Sequence, residues 1–203
     1  MDVKNIQVSN FLSIINREIK NFENSMDVEK LVKACEMIVE TRNKGGRVHI
    51  TGIGKPSHVS SYIASLFSSI GVPTYVLDAT EAIHGSSGQV VSGDIVIAIS
   101  NSGETKELMN AIHCLLANGA YIISLTRNED SPLAKKSHIT LKARVEFEGD
   151  DLNKPPRASI VGEILMLQAL SILLQDEQKL TKEDYVKWHP GGKIGSSIME
   201  GEK

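Results

Sequence analysis

The sequence predicts a single α/β domain built on a parallel sheet, and three observations predict it. Short apolar runs rich in β-branched residues alternate with longer stretches of helical periodicity, the pattern of strands joined by crossover helices. One run, Ile95 to Ile99, is apolar without a break, as a strand buried on both faces reads. The 203 residues suffice for one well-buried domain and are short for two. No internal repeat or low-complexity segment divides the chain. Residues 1–203 therefore read as one domain, with helices over 1–44 and an α/β core and tail over 45–203.

Residues 5–23 place Ile6, Phe11, Ile14, Ile15, Ile19 and Phe22 at near-helical spacing. Asp27 to Arg42 repeats the pattern with Leu31, Ala34, Cys35, Ile38 and Val39 before Gly45-Gly46 ends it. These two amphipathic helices need a surface to cover, either the flank of the sheet or a neighbouring subunit. Arg47 to Thr51 is the first strand, followed by Gly52-Ile-Gly-Lys-Pro-Ser-His58 and a helix ending near Ile70. Thr74 to Leu77 is the second strand, and Asp78 to Gly88 reads as loop and short helix. After Ile95–Ile99 comes a helix with Leu108, Ile112, Leu115 and Leu116 on one side and Glu104 and Glu107 in its first turn. Ala120 to Leu125 and Ile139 to Leu141 are the remaining strands, with a short helix begun by Ser131-Pro132 between them. Residues 142–157 are charged, contain Pro155-Pro156 and read as loop. From Ala158 to near Leu174 the chain is apolar nearly all round, which predicts a buried helix, and no apolar run reaches membrane-spanning length.

A net charge of -3 gives no electrostatic reason to expect nucleic acid or an anionic membrane as partner. The N-terminus lacks a basic region followed by an apolar core, so no signal peptide is expected. Cys35 and Cys114 sit in helical stretches without metal-type spacing and read as core thiols of a reducing compartment. A soluble cytoplasmic protein is the expectation.

Chemistry concentrates in the loop that follows Ile95–Ile99. Ser100-Asn-Ser-Gly103 separates a buried strand from a helix N-terminus, where unpaired backbone N–H groups favour an anion. Ser100, Ser102 and Thr105 add hydroxyl donors, and no Lys or Arg lies in the loop, so the donors are neutral. A phosphate monoester on a small molecule suits them; the plain alternative is a helix-capping turn with no ligand. The earlier loop, Gly52-x-Gly54-x-x-Ser57, approaches a dinucleotide fingerprint, with Asp78 where a ribose-binding acid belongs. Its third glycine is missing, and the spacer of a Walker loop is absent too, so no cofactor is expected. Lys55, at the exit of a central strand, is placed to reach an anion bound at the neighbouring loop.

With both loops read, the chain resembles the sugar isomerase (SIS) domain family, and within it the arabinose-5-phosphate isomerase group. The matching stretches are Gly52-Ile-Gly-Lys55, Glu81-Ala-Ile-His-Gly85, Ile97-Ala-Ile-Ser-Asn-Ser-Gly-Glu104 and His189-Pro-Gly-Gly192. They extend the likeness from near residue 10 to the end. The resemblance implies a three-layer α/β/α sandwich around a five-stranded parallel sheet, assembled as a homotetramer with sites near subunit interfaces. It implies that Ser100, Asn101, Ser102 and Thr105 hold the phosphate, that Gly54 and Ser57 touch the substrate, and that Lys55, His84, Glu107, Glu148 and His189 do the chemistry. Three departures stand out. Those isomerases carry paired CBS domains after the SIS domain, whereas this sequence stops at Lys203, so that regulation is expected to be missing. Ser86 stands where the family often has an acid. The loop usually rich in Ser and Thr before the last long helix reads Pro155-Pro-Arg-Ala-Ser159, so Arg157 would add a charge near the substrate.

Interconverting an aldose and a ketose phosphate requires opening the ring, moving a proton between C1 and C2, and supplying donors to the enediolate oxygens. A carboxylate can move the proton if partial burial brings its pKa toward neutrality. Glu148 is the choice, although its acidic surroundings would equally suit a solvated loop. Glu163, a lone acid on an apolar helix, is the second choice, because such a group is costly without a role. His84 and His189 are candidates for ring opening, Glu107 for orienting Lys55 or a histidine, and Lys55 for neutralising developing charge. The other histidines read as structural, and no cluster has metal-ligand spacing. The leading reading is isomerisation of D-arabinose 5-phosphate and D-ribulose 5-phosphate; the alternatives are a sugar-phosphate sensor, or an isomerase of a hexulose or amino-sugar phosphate.

Overall fold

The computed structural model describes residues 3–190. One sheet contains β1 (Val48–Gly52), β2 (Thr74–Val76), β3 (Ile95–Ile99), β4 (Tyr121–Thr126) and β5 (Ile139–Lys142), in the order β2-β1-β3-β4-β5 with every pairing parallel. This is the five-stranded parallel sheet that the resemblance implied. The strand order reverses between β1 and β3, which places a crevice outside the carboxyl ends of those two strands.

Alternation along the strands sorts the core into two layers. Ile95, Ile97 and Ile99 join Val48, Ile50 and Leu125 on one face, under α1 (Val3–Ser25), α2 (Val28–Asn43), α3 (Lys55–Ser69) and α7 (Ala158–Glu177). Val96, Ala98 and Ile122 point the other way, under α4 (Ala79–Ala82), α5 (Lys106–Ala117) and α6 (Pro132–Lys136). All five residues of β3 are buried, as its unbroken apolar run required. The three-layer sandwich follows.

The elements depart from the sequence reading in four places. Glu104 precedes the N-cap residue Thr105 and lies outside α5. Asp78 at the exit of β2 is an N-cap: its carboxylate accepts the N–H groups of Thr80 and Glu81 at the start of α4. A further helix, α8 (Lys182–Trp188), forms in what read as tail. Finally, α7 is, by length and composition, apolar enough to cross a membrane. Its apolarity has a nearer cause: Met166, Leu167, Leu170 and Leu174 are buried in the core, while Ile172 on the opposite side is 63% exposed.

α1 packs through its C-terminal half. Phe22 enters the core, and the buried Glu18 accepts the N–H of Glu146 at 2.8 Å. Its N-terminal half leaves Ile6, Val8 and Leu12 exposed.

At the opposite end of the sheet from the crevice, Asp94 is fully buried just before β3. Its carboxylate accepts the N–H of Arg47 at 2.8 Å and of Val91 at 3.1 Å, and meets the Arg47 guanidinium and the His49 ring. Burial alone would raise the Asp94 carboxyl; the backbone donors, His49 and Arg47 outweigh it and hold it below the usual range. Burial also pushes the His49 imidazole down. Because this one carboxylate ties residues 47–49 to the turn at Val91, Asp94→Ala should cost about 3 kcal/mol of stability. A urea midpoint unchanged from wild type would show that the cluster holds nothing.

Candidate active site

Two helix N-termini open onto the crevice, and neither is capped by a side chain. α5 begins after Thr105, and α3 begins after Gly54, which holds the left-handed φ of 69° that a side chain would resist. Between them lies a cavity of 270 Å³, lined by Ser100, Asn101, Ser102 and Thr105 from the β3 loop and by Ile53 and Pro56 from the β1 loop. Uncapped N–H groups beside a polar cavity are suited to an anion.

The β3 loop is braced from behind. Ser100 N–H donates to Leu125, and the Asn101 carbonyl accepts both Arg127 N–H and the Thr126 hydroxyl, so β4 fixes the loop. Ser100 Oγ accepts Gly103 N–H at 3.1 Å and pairs with Thr105 Oγ1 at 3.2 Å, and Ser102 Oγ accepts Glu104 N–H. The Asn101 amide oxygen is buried with no partner.

The far wall comes from the loop after β5 and from α7. Glu148 is 8% exposed, and its Oε2 accepts the N–H of Arg157 at 2.6 Å and of Ser159 at 3.1 Å. Arg157 occupies the N-cap position of α7 without a side-chain cap, so the carboxylate of Glu148 supplies one from outside the helix. Glu163, a turn further along α7, is 2% exposed with both oxygens unpartnered. Burial first, and the charge of Glu148 second, push its carboxyl up to about 8. Ser159, Pro156, Ile160 and Lys154 complete the wall.

Residues 42–172 match the SIS domain family. The chain belongs to that family. It is 36% identical over 171 residues to an arabinose 5-phosphate isomerase, KdsD, of Pseudomonas aeruginosa, covering 84% of this chain and 52% of the relative. It is 34% identical over 195 residues to the KdsD of Francisella tularensis, covering 95% of this chain and 59% of the relative. The chain thus spans a little over half the length of these curated relatives. A solved structure of an Escherichia coli CFT073 protein in complex with arabinose 5-phosphate superposes with a TM-score of 0.83 at 29% identity, covering 94% of this chain and all of that one.

Within this SIS domain the expected residues divide. Ser100, Asn101, Ser102, Thr105 and Glu148 line one cavity, with Glu163. Lys55 and Glu107 stand exposed in the first turns of α3 and α5; among the described residues neither side chain has a hydrogen-bond or ion-pair partner, so Glu107 does not hold Lys55. Ser57 turns its hydroxyl back onto the Gly54 carbonyl at 2.6 Å, which spends its proton inside the loop. His84 is exposed after α4, outside the cavity lining.

His189 lies at the other end of the sheet. Trp188 packs against Gly71, in the turn that enters β2, and the His189 ring stacks on Tyr185 with Nδ1 2.9 Å from the Tyr185 carbonyl. A five-residue strand, roughly 16 Å long, separates that end from the crevice. Gly191 and Gly192 of the same motif lie outside the described residues. Arg157 also departs from expectation: its guanidinium pairs with Asp150 at 2.8 Å, towards α1 rather than into the cavity. Lys154, which the sequence reading passed over, is the cation that lines it. Its only signal was its place in the loop that had lost the family's Ser and Thr. Among the described residues no group of three His, Cys, Asp or Glu could share a metal ion.

The burial of Glu163 has a measurable cost. The unfolded chain ionises it near 4.5 and the folded chain near 8, so the folded state binds the extra proton across that window and loses stability as pH rises through it. Glu163→Gln escapes the loss. Its melting temperature should exceed that of wild type by a margin that widens from about pH 5 to about pH 8 and then levels off. A margin independent of pH would place the ionisation elsewhere.

Proposed function

We propose that this protein is an aldose–ketose isomerase of a sugar phosphate, interconverting D-arabinose 5-phosphate and D-ribulose 5-phosphate through an enediolate. The observation that carries the reading is the convergence of two uncapped helix N-termini and a hydroxyl loop on a cavity whose opposite wall holds Glu148. The phosphate sits at Ser100, Asn101, Ser102, Thr105 and the first N–H groups of α5. The sugar then extends toward Glu148, which moves the proton between C1 and C2. Two backbone donors hold Glu148 Oε2 in place, so the carboxylate is oriented before substrate arrives. Lys55, in the first turn of α3, offsets the charge that develops on the enediolate. The names of the relatives support the five-carbon sugar.

His84 and His189 enter the same scheme from a neighbouring subunit, since in their own chain neither lines the cavity. The exposed apolar half of α1 is the candidate contact of such a homotetramer. Sedimentation should then give four times the 22.1 kDa chain mass, and Leu12→Glu should lower it. A wild-type monomer with full activity would remove both histidines from the mechanism.

The deciding assay follows arabinose 5-phosphate and ribulose 5-phosphate directly, with EDTA present. Turnover is expected, and Glu148→Gln should abolish it while keeping the fold, because the amide oxygen can still accept the Arg157 and Ser159 N–H groups. Ser102→Ala should chiefly raise KM. An active Glu148→Gln variant would dismiss the proposed base, and an unchanged KM in Ser102→Ala would count against the phosphate loop.

A further inference from the structure

Core polar groups in folded proteins nearly always find a hydrogen-bond partner. Around the cavity, four atoms do not: Asn101 Oδ1, Ser159 Oγ and both oxygens of Glu163 are buried and unpartnered. A purely structural acid at position 163 would have been paired or replaced by an apolar residue, because an unpaired buried carboxyl is expensive. Orphaned polar atoms on both walls of one cavity match a ligand rich in oxygens.

We propose that Glu163, as the neutral carboxylic acid, donates its O–H to the carbonyl oxygen of the bound sugar and shuttles that proton between the two enediol oxygens while Glu148 moves the proton between the carbons. The assignment rests on the isomerase reading above and adds the missing acid to it. The surroundings divide the two roles. Glu148 Oε2 receives two backbone N–H donors and so must act as an acceptor. Glu163 has no donor, is shut off from water, and stands near the charge of Glu148. Two acids in one site with opposed surroundings sort into a base and an acid.

The protons balance. Glu148 takes the C2 hydrogen as a proton, the C2–H electron pair forms the C1–C2 double bond, and the carbonyl π pair moves to O1, which takes the Glu163 proton. Glu148 then returns its proton to C1, the O2–H proton passes to Glu163, and the C2 carbonyl forms. Both acids finish as they began, and no electron carrier is required.

The charged groups on the elements around Glu163 are Glu148 and Lys154 of the loop, Lys55 and His58 in the first turn of α3, and Arg17 and Glu18 of α1; the residues that α2 buries in the core it shares with α7, Leu31, Ala34, Cys35 and Ile38, carry no charge. Of these, Glu148 acts on its ionisation.

The test is kcat/KM from about pH 7 to 9.5 for wild type and Glu163→Gln, with sugar-phosphate affinity measured by calorimetry over the same range. Wild type should lose kcat/KM on an alkaline limb near 8, where Glu163 gives up its proton. Glu163→Gln should lack that limb and turn over about 10²-fold more slowly at little-changed KM. A flat wild-type profile, a limb that persists in the variant, or a variant with wild-type kcat would each overturn the proposal while leaving the isomerase standing; the wild-type profile decides alone if the variant fails to fold. A chain that turns over no sugar phosphate but binds one with affinity falling above about pH 8 would refute the isomerase and keep Glu163 as a donor. Binding without pH dependence in such a chain would sink both.

Discussion

The site depends on where one carboxylate oxygen is placed. Oε2 of Glu148 joins the loop leaving β5 to the first turn of α7 by accepting two of the N–H groups that the helix cannot satisfy internally. The tie sets the path of residues 148–157 and therefore positions Lys154 and Pro156 on the cavity wall. It also fixes the start of α7, and with it the height at which Glu163 enters the same cavity. Arg157, whose backbone is consumed by this contact, sends its guanidinium to Asp150 beside α1.

Of the helix N-termini at this end of the sheet, those of α3, α5 and α7 border the cavity, and the chain treats them differently. α7 carries its anion permanently, in Glu148. α3 and α5 carry none, and they flank the point where the strand order reverses. The same backbone physics thus makes a structural joint at one helix and leaves a candidate ligand site at the other two. Glu148 lies between the two uses, at once a cap and a wall of the cavity.

What the sequence disclosed follows from how local each signal was. The β3 strand, its Ser-Asn-Ser-Gly loop and the start of α5 are contiguous, so the anion site could be read from a dozen residues. Glu163 could be suspected because one acid on an apolar helix conflicts with its neighbours. Lys154 and Arg157 could not be told apart, because both lie in one charged loop and only the Glu148 contact, made across nine residues, decides which side chain faces the cavity. Asp78 had the right address for a ribose ligand, but the short helix behind it claimed its carboxylate. The distance of His189 from its own chain's cavity has a longer-range cause: its position is set by Trp188 docking on Gly71, and nothing near either residue announces that contact.

In the proposed site the β3 loop would grip phosphate with dipoles instead of ions. Fixed N–H and hydroxyl groups recognise the tetrahedral arrangement of phosphate oxygens by direction, which a flat carboxylate cannot reproduce. Mobile counter-ions screen such short, oriented contacts far less than they screen an approach to a lysine-rich surface. Among the residues lining the cavity the salt-sensitive share of the proposed recognition would fall to Lys154, so a phosphate held there would be released little by a change in the ionic composition around the protein.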